Sequence, residues 1–529
     1  MECPGELPLE RPRPDFGDLS TRVAFLLAKE VGRPPQAIAQ ELAAALKDHP
    51  EFSQVQAVGG FLNLRFTPAT LHQVLRGVLE QGEVYGRGDL GRGRSLQVEF
   101  VSSNPTGPLT VGHGRQAALG DVLANLFQEL GWRVTREYYL NDEGRQIDLL
   151  AQSLWARYRQ ALGEEAPIPE GGYQGDYLVP IGEELAEEWG DRYQDWDEEA
   201  QEAFRREAVG RMLRLIREDL EAFGVSFDVW TREVDLHRRG LVRETLEELK
   251  RRGATYEKDG AVWLKSTEYG LSRDPVLVRS DGTPTYLMVD IAYHVDKFRR
   301  GFDRVVDVQG ADHAEEQQQV KLALKILGLP DEFLSYCVHQ FVTLKGREGV
   351  EKMSTRAGRF IRLGDLIHEL GRDVVRYFMV RRKPESHLTF DYELAKKTSM
   401  DNPVYYVQYA HTRIASIFRE AERGDEPVTR HASRVTEIDL SPLTDPDELS
   451  LIKELDRFPE VIVQASQFAP HLLCEYLEGL AGLFHPYYTR VRILGQGEAT
   501  PARLALLFGV RLVLRRGLAI LGVSAPEEM

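Results

Sequence analysis

The sequence predicts an α/β protein whose parallel-sheet core is preceded by a small α/β unit and followed by a helical bundle. At 529 residues the chain is longer than a single domain. Apolar strand-like runs alternate with helical stretches through its middle, which is typical of a parallel sheet with right-handed crossovers. From about Asp373 onward only helical periodicity remains. We therefore expect domains at 1–90, 91–373 and 374–529, with a helical insertion at about 150–235.

The composition is that of an ordinary globular protein, with 42% apolar and 28% charged residues. The sequence has no run of ~18 uncharged apolar residues and no opening signal segment, so we expect a cytoplasmic protein without a membrane partner. The cysteines Cys3, Cys337 and Cys474 are too far apart for a disulfide framework or a CxxC zinc site. No protein-bound structural metal is therefore expected.

Charge is unevenly distributed along the chain, whose formal net charge is −17. Ten acidic residues and a single base, Arg192, lie between Glu183 and Glu202. The final segment carries six arginines, which are Arg490, Arg492, Arg503, Arg511, Arg515 and Arg516. The acidic run predicts a solvated face turned away from polyanions, and the arginines predict a surface for RNA. Salt-bridged helix faces explain each run equally well.

The first 90 residues contain a predicted strand, Val55–Phe66, broken by Gly59 and Gly60, that could contact a nucleic-acid base. Phe61 and Asn63 are two residues apart and therefore face the same side of this strand. An aromatic ring and an amide on one face can stack on and pair with an unpaired base. An ordinary half-buried strand fits the pattern as well. The Gly-rich stretch Gly86–Gly91 precedes a strand and opens no helix, so it is interpreted as a linker.

The stretch from Ser95 to Leu130 has the pattern of a nucleotide-binding strand, turn and helix. Its strand is predicted at Leu96–Val101, and a Pro/Gly-rich turn follows at 104–108. Helical spacing of apolar residues begins after Gly112. His113 and Arg115 therefore fall in the first helical turn, where the helix N-terminus attracts a phosphate.

Further strands and helices complete the predicted core. The expected strands are Arg133–Asn141, Ala254–Leu264, Asp274–Val278, Tyr286–Asp290, Asp303–Gln309 and Phe333–Leu344. Gly310, Asp312 and His313 follow one of these strands, where a carboxylate can accept hydrogen bonds from ribose hydroxyls. For His313 alone, a structural role fits as well as ligand contact.

Three residues suggest a pocket for a planar cation. Glu99 is predicted in the middle of an apolar strand, where an ionised carboxylate is costly unless a cation pairs with it. Tyr286 and Asp290 are four residues apart and share a face. Two carboxylates and a phenol around one cavity suit a guanidinium, which has five donors and no acceptor. We expect Glu99 and Asp290 to meet at an empty cleft. The alternative is that Glu99 pairs with one of the protein's own arginines.

Two short motifs support a nucleotide site. Thr110–His113 resembles the HIGH element of class I aminoacyl-tRNA synthetases, and Lys352–Ser354 resembles their mobile KMSKS loop. Together with the segments NPVYYVQYAHTRI (402–414) and GADH (310–313), the sequence closely resembles the arginyl-tRNA synthetase family over nearly its whole length.

The resemblance implies a Rossmann-type class I catalytic domain at 91–373, an N-terminal tRNA-contacting domain and a C-terminal anticodon-binding domain. The implied arginine-binding residues are Glu99, Ser102, Asn104, Tyr286, Asp290 and Gln309. The implied ATP-binding residues are Thr110, Gly112, His113, Gly310, Asp312, His313, Met353 and Arg356. His113, Lys352 and Ser354 are implied to be catalytic. The implied tRNA contacts are Phe61, Asn63, Tyr406, Tyr409 and Arg413. The HIGH-type motif comprises Ser103, Asn104, Pro105, Thr106, Gly107, Pro108, Leu109, Thr110, Val111, Gly112 and His113.

The implied reaction activates L-arginine with ATP and Mg²⁺ and transfers it to the 3′-terminal adenosine of tRNA(Arg), in a monomeric protein. Two departures from the family pattern stand out. Thr110 replaces the first histidine of HIGH, and Thr355 replaces the second lysine of KMSKS. Arg356 or Arg115 is the expected substitute cation. A synthetase for another amino acid, an RNA-binding paralogue without catalysis and a small nucleotidyltransferase remain as alternatives.

Overall fold

The computed structural model describes residues 7–346, 361–424 and 438–529. Residues 7–66 form a small α/β unit with an antiparallel sheet in the order β1–β2–β4–β3. Its elements are β1 (Leu9–Glu10), β2 (Leu19–Thr21), α1 (Val23–Val31), α2 (Pro35–Leu46), β3 (Phe52–Val58) and β4 (Phe61–Phe66). The β3–β4 hairpin turns at Gly59 and Gly60, both with positive φ, so the predicted strand Val55–Phe66 is broken where the sequence indicated.

A long series of alternating helices and strands follows. From residue 68 to 345 the elements are α3 (Pro68–Gln81), β5 (Ser95–Glu99), α4 (Val111–Glu129), β6 (Arg133–Leu140), α5 (Arg145–Ala161), α6 (Leu178–Trp189), α7 (Glu198–Ala222), β7 (Val229–Arg232), α8 (Glu233–Arg238), α9 (Leu241–Arg251), β8 (Thr255–Lys258), β9 (Ala261–Leu264), β10 (Val276–Val278), α10 (Tyr286–Arg299), β11 (Arg304–Gly310), α11 (Ala314–Ile326), β12 (Leu334–His339) and β13 (Val342–Lys345). Short 3-10 helices lie at Pro14–Phe16, Gly82–Val84, Ser266–Tyr269 and Ala311–His313.

The remaining described residues are mostly helical. The elements are α12 (Leu363–Leu370), α13 (Arg372–Val380), β14 (Leu388–Asp391), α14 (Tyr392–Ala395), α15 (Pro403–Arg423), α16 (Pro446–Asp456), α17 (Phe458–Ser466), α18 (His471–Arg490) and α19 (Ala499–Ile520). None of the helices in these ranges is long and apolar enough to cross a membrane.

The core is a five-stranded parallel sheet in the order β12–β11–β5–β6–β7. The chain runs outward from β5 to β6 on one side and later returns to β11 on the other. The carboxyl end of β5 therefore opens on the crevice where the strand order reverses, which is the usual ligand position in such sheets. The helical insertion α5–α7 has a separate apolar cluster of its own, rich in aromatic side chains.

Four sequence expectations about local structure are wrong. The segment Tyr286–Asp290 is the first part of α10, capped by the Thr285 hydroxyl, which accepts from the Met288 N–H. The expected strand Phe333–Leu344 is divided into β12 in the core sheet and β13, which pairs with β14. Strand β14 lies beyond residue 373, where only helices were expected. Glu99 is the last residue of β5 and does not lie in its middle.

The arginines of the final segment are mostly neutralised by the protein itself. Arg490 pairs with Asp445 and Asp447, Arg503 with Glu448, Arg511 with Glu527, Arg515 with Glu83, and Arg516 with Glu129. The salt-bridged alternative therefore describes these five, and the RNA surface stays a prediction. The ten acidic side chains between 183 and 202 are exposed to solvent.

Charged side chains also tie the domains together. Arg11 of the N-terminal unit contacts Asp456 at 2.7 Å and Glu460 at 3.0 Å. Asp18 and Lys453 approach to 2.7 Å. These pairs fix the N-terminal unit against α16 and α17.

Arg376 joins the core to the C-terminal helices from a fully buried position. Its guanidinium donates to Asp121 of α4 at 2.5 Å and to the carbonyl oxygens of Phe223 and Leu521. The helix that begins at the HIGH-type motif is thus held directly against the end of α19.

Candidate active site

A cavity of about 980 Å³ opens at the carboxyl ends of the core strands. It brings together twelve of the predicted site residues, namely Glu99, Ser102, Asn104, Thr110, Gly112, His113, Tyr286, Asp290, Gln309, Gly310, Asp312 and His313. Lys352, Met353, Ser354 and Arg356 lie outside the described residues. The predicted tRNA contacts lie in other domains.

The HIGH-type turn is shaped by a bond between its first and last residues. The Thr110 N–H donates to His113 Nδ1 at 3.0 Å, at the N-terminus of α4. Because Nδ1 accepts, the proton of the neutral ring is on Nε2, which remains a donor. Burial lowers the pKa of His113 to about 4, so the ring stays neutral near neutral pH.

Arg115 is wrong as a candidate phosphate cation. Its side chain is fully buried and donates to the carbonyl oxygens of Gln340, Lys383 and Ser386 at 2.7–3.0 Å. Arg115 points into the core and fastens α4 to the β12–β13 and α13–β14 connections. It therefore has a structural role.

The chain returns to the HIGH-type turn directly after the undescribed segment 347–360. The Val111 N–H donates to the Ile361 carbonyl at 3.3 Å, and the Leu363 N–H donates to the Leu109 carbonyl at 2.8 Å. Asp219 of α7 accepts from the Leu109 N–H at 3.3 Å. The residues that follow the KMS motif are thus joined to the turn by backbone hydrogen bonds.

The corner after β5 is strained and closely bonded. Val101 and Ser102 have φ values of 69° and 39°, in the left-handed region that β-branched residues rarely adopt. The Ser102 hydroxyl donates to Glu99 Oε1 at 2.9 Å and accepts from the Tyr139 N–H at 3.0 Å. The Tyr138 hydroxyl bonds both backbone groups of residue 103. This corner directs Glu99 and Ser102 towards the cavity.

The expectation that Glu99 has no internal partner before the substrate binds is wrong. Lys297 Nζ lies 2.6 Å from Glu99 Oε2 and 3.1 Å from Asp307 Oδ1, and the lysine side chain is fully buried. Burial nevertheless raises the pKa of Glu99 to about 7. The partner is a lysine in the last turn of α10 and not an arginine, as the alternative supposed.

Asp290 also has an internal basic neighbour. Its Oδ1 lies 3.2 Å from His294 Nδ1, while His294 Nε2 lies 2.8 Å from Asp307 Oδ2. These two carboxylates raise the pKa of His294 to about 10 against the opposing effect of burial. Three carboxylates, of Glu99, Asp290 and Asp307, therefore face two cations, of Lys297 and His294. When all three carboxylates are ionised, this buried charge cluster has one negative charge in excess.

The sequence contained usable signals for the residues that were missed. His294 and Lys297 follow Asp290 at spacings of four and seven, which place all three on one face of a helix. Asp307 lies within an apolar strand, the same signal that drew attention to Glu99. Phe341 gave no signal, yet its ring is 63% exposed and lines the cavity.

The predicted tRNA contacts differ in accessibility. Phe61 is 40% exposed and packs edge-on against Phe25, whereas Asn63 is only 6% exposed and accepts from the Ser20 hydroxyl at 2.7 Å. Asn63 therefore has an internal partner.

In the C-terminal domain, α15 and α18 share a half-buried aromatic cluster. Arg413 donates to the Tyr488 hydroxyl at 2.6 Å and lies over its ring. Tyr406 and Tyr409 pack against His485.

Three family descriptions match the chain and together cover almost all of it. They are "Arginyl tRNA synthetase N terminal domain" over residues 3–66, "tRNA synthetases class I (R), catalytic domain" over 75–414, and "DALR anticodon binding domain" over 407–529. With the parallel sheet and the HIGH-type turn at its crevice, these matches define a class I aminoacyl-tRNA synthetase, a class that uses ATP.

Known relatives narrow the class to one family. The arginine–tRNA ligases of Thermotoga petrophila and Thermotoga maritima are each 48% identical over 523 residues, covering 98% of this chain and 95% of the relative. The solved arginyl-tRNA synthetase of Thermus thermophilus has a TM-score of 0.75 and 26% identity, covering 99% of this chain and 96% of that chain. The chain belongs to the arginyl-tRNA synthetase family and is an aminoacyl-tRNA ligase.

Proposed function

We propose that the cavity binds arginine and ATP side by side for transfer of arginine to tRNA(Arg). Glu99, Tyr286 and Asp290 hold the substrate guanidinium. Ser102 and Asn104 hold its α-amino and carboxylate groups, and Gln309 supports the pocket. The observation that carries this assignment is the single excess negative charge of the buried charge cluster beside the HIGH-type turn, because one guanidinium neutralises it.

The ATP site in this proposal lies at the start of α4 and the end of β11. Its residues are Thr110, Gly112, His113, Gly310, Asp312 and His313. His113 donates from Nε2 to phosphate oxygens, a role supported by the acceptor state of its Nδ1. Lys352, Met353, Ser354 and Arg356 neutralise phosphate charge as the KMSKS-type loop.

Mg²⁺ enters with ATP in this proposal. No group of three or more metal-ligating His, Cys, Asp or Glu side chains lies within the described ranges. Carboxylates combined with substrate phosphates are a common way of binding this ion, so a dedicated protein site is not required.

The reaction has two steps in this proposal. The arginine carboxylate attacks the α-phosphorus of ATP, giving arginyl-adenylate and releasing pyrophosphate. The 2′-hydroxyl of the terminal adenosine of tRNA(Arg) then attacks the acyl carbon and AMP leaves. No side chain forms a covalent intermediate; positioning and charge neutralisation lower the barriers.

The tRNA contacts, quaternary state, cellular location and domain limits complete the proposal. The exposed ring of Phe61 stacks on a base. The Asn63 amide contacts the same base after its hydrogen bond with Ser20 is broken. Tyr406, Tyr409 and Arg413 contact the anticodon arm. A cytoplasmic monomer with domains at 1–90, 91–373 and 374–529 fits a role in translation.

Pyrophosphate exchange in the presence of tRNA(Arg) tests the arginine site. Glu99→Gln and Asp290→Asn should each raise the KM for arginine roughly 10- to 100-fold, because a hydrogen bond to a charged group is lost. The KM for ATP should stay unchanged. Glu315→Gln, whose carboxylate pairs with Arg273 on the surface, is the matched control. Unchanged arginine KM values in both site variants would contradict the assignment.

A further inference from the structure

Lys297 is a buried cation that the proposed reaction does not use directly. Its side chain is fully buried on α10, and its Nζ contacts Glu99 Oε2 at 2.6 Å and Asp307 Oδ1 at 3.1 Å. The Nζ also lies 4.3 Å from the centre of the Tyr293 ring. Burying an ammonium group is costly unless it is well paired, so these contacts require an explanation.

The partners of Lys297 leave Glu99 a single orientation. Asp307 is held from its other side by His294 Nε2 at 2.8 Å, so it cannot turn away from Lys297. Glu99 Oε1 accepts from the Ser102 hydroxyl, so each oxygen of this carboxylate has a hydrogen-bond donor. Glu99 also lines the cavity.

Without Lys297, Glu99 would lie beside two other carboxylates in a desolvated place. Burial and the neighbouring Asp307 both favour the protonated form of Glu99, and Lys297 is the main influence against them. A protonated Glu99 would be a neutral and weaker partner for a guanidinium.

We propose that Lys297 is a positioning residue for the arginine site, keeping the Glu99 carboxylate ionised and aimed into the cavity until the substrate guanidinium arrives. This inference rests on the arginine-binding role proposed above for Glu99. Lys297 does not touch the substrate; it acts through Glu99.

The same geometry bears on the choice of substrate. Lys297 cancels one carboxylate and His294 a second, so the buried charge cluster lacks one positive charge. A neutral isostere of arginine leaves that charge unpaired, and a lysine substrate supplies charge without the planar fork that reaches two carboxylates. By pairing with one of the three carboxylates, Lys297 thus leaves the site suited to a substrate side chain with a single positive charge.

The titratable and charged groups around Glu99 come from four elements. On α10 they are Lys297, His294, Asp290 and Tyr293; on β11, β6 and β12 they are Asp307, Tyr139 and Tyr336. Lys297 is the cation that bonds the Glu99 carboxylate directly, so its removal should dominate any change.

The decisive variant is Lys297→Met, which keeps the side-chain volume and removes the charge. Its KM for arginine in pyrophosphate exchange should rise roughly tenfold or more near neutral pH. This is the change expected if the loss of Lys297 raises the pKa of Glu99 by one unit or more, so that less of the carboxylate is ionised. The KM should fall back as the pH is raised by about two units, since Glu99 then ionises without help. A general loss of structure would raise the KM at every pH.

A double-mutant comparison isolates the action through Glu99. Glu99→Gln with Lys297→Met should have the same arginine KM as Glu99→Gln alone, because the carboxylate that Lys297 positions is absent. Lys325→Met, a lysine on α11 that pairs with Asp331 at the surface, is the matched control and should have the parent KM.

Several results would overturn the proposal. One is a folded Lys297→Met variant with the parent KM and pH profile. Another is that Lys297→Met raises the KM by the same factor in the parent protein and in the Glu99→Gln variant. If Lys297→Met does not fold, the double variant carries the comparison. If neither folds, Lys297 serves stability and the proposal is wrong. A parent-like KM in Glu99→Gln alone would instead reject the arginine-site assignment itself.

Discussion

Gly120 offers a sharp test of how closely α4, the helix that begins at the HIGH-type turn, must pack on the site. A Cβ built on Gly120 lies 2.2 Å from Phe100 Cγ and 2.5 Å from Phe100 Cβ. Phe100 is fully buried and its ring centre is 4.5 Å from that of Phe227, so it has little room to retreat. Gly120→Ala therefore forces the end of β5 to move.

The expected free energy follows from two opposing effects. Overpacking a core typically costs 1–3 kcal/mol, and a contact as short as 2.2 Å puts Gly120→Ala in the upper part of this range, at about 2–3 kcal/mol. Alanine recovers about 1 kcal/mol of helix propensity, so we expect a net destabilisation of roughly 1–2 kcal/mol. Gly210→Ala in α7, where the new Cβ meets nothing within 4 Å, should instead stabilise its helix by about 0.5–1 kcal/mol.

Native-state hydrogen exchange measures both variants locally, which suits a chain too large for two-state unfolding. Gly120→Ala should lower protection in α4 and β5 and raise the KM for arginine, because Phe100 directly precedes the strained corner at Val101. Gly210→Ala should raise protection in α7 without changing the KM. Equal or greater protection in Gly120→Ala would refute the reasoning.

Two further predictions concern buried polar groups. His113→Asn keeps an acceptor for the Thr110 N–H but loses the Nε2 donor, so kcat of pyrophosphate exchange should fall roughly 10²–10³-fold; a loss below tenfold would contradict the role. Because burial holds the pKa of His113 at about 4, the unfolded chain binds more protons than the folded one between about 6.5 and 4. Stability is thus lost as the pH falls through this window, and the variant should lose less of it. Arg376→Met removes its charged hydrogen bond to Asp121, which keeps Arg136 as a partner, and should cost roughly 1.5–3 kcal/mol, seen as lost exchange protection in α4 and α13, whereas the exposed Arg372→Met should cost little. Undiminished protection in Arg376→Met would contradict this.

The sequence was informative where a pattern depends on local backbone chemistry. The strand–turn–helix around His113 and the alternating core follow from apolar spacing and Pro/Gly placement. The first turn of α10 was taken for a strand because a short apolar run has no period that separates the two, and only the Thr285 cap decides.

What the sequence could not supply is the pairing of distant charges. Glu99 and Lys297 are 198 residues apart, and nothing local indicates that the last turn of α10 contacts Glu99. Arg115 illustrates the same limit. Its position near the start of a helix suggested that it binds a phosphate, but its guanidinium donates to three carbonyl oxygens from distant parts of the chain. Long-range topology decides such contacts.

The left-handed backbone at Val101 has a consequence for anyone who engineers this enzyme towards heat resistance. A β-branched side chain in that conformation costs on the order of 1–3 kcal/mol. Glycine would relieve this strain, but it would lose about the same free energy of apolar burial, because Val101 is buried in the main core. Selection for survival at high temperature would therefore gain little from glycine there, and the exchange would loosen the pivot that aims Glu99 and Ser102.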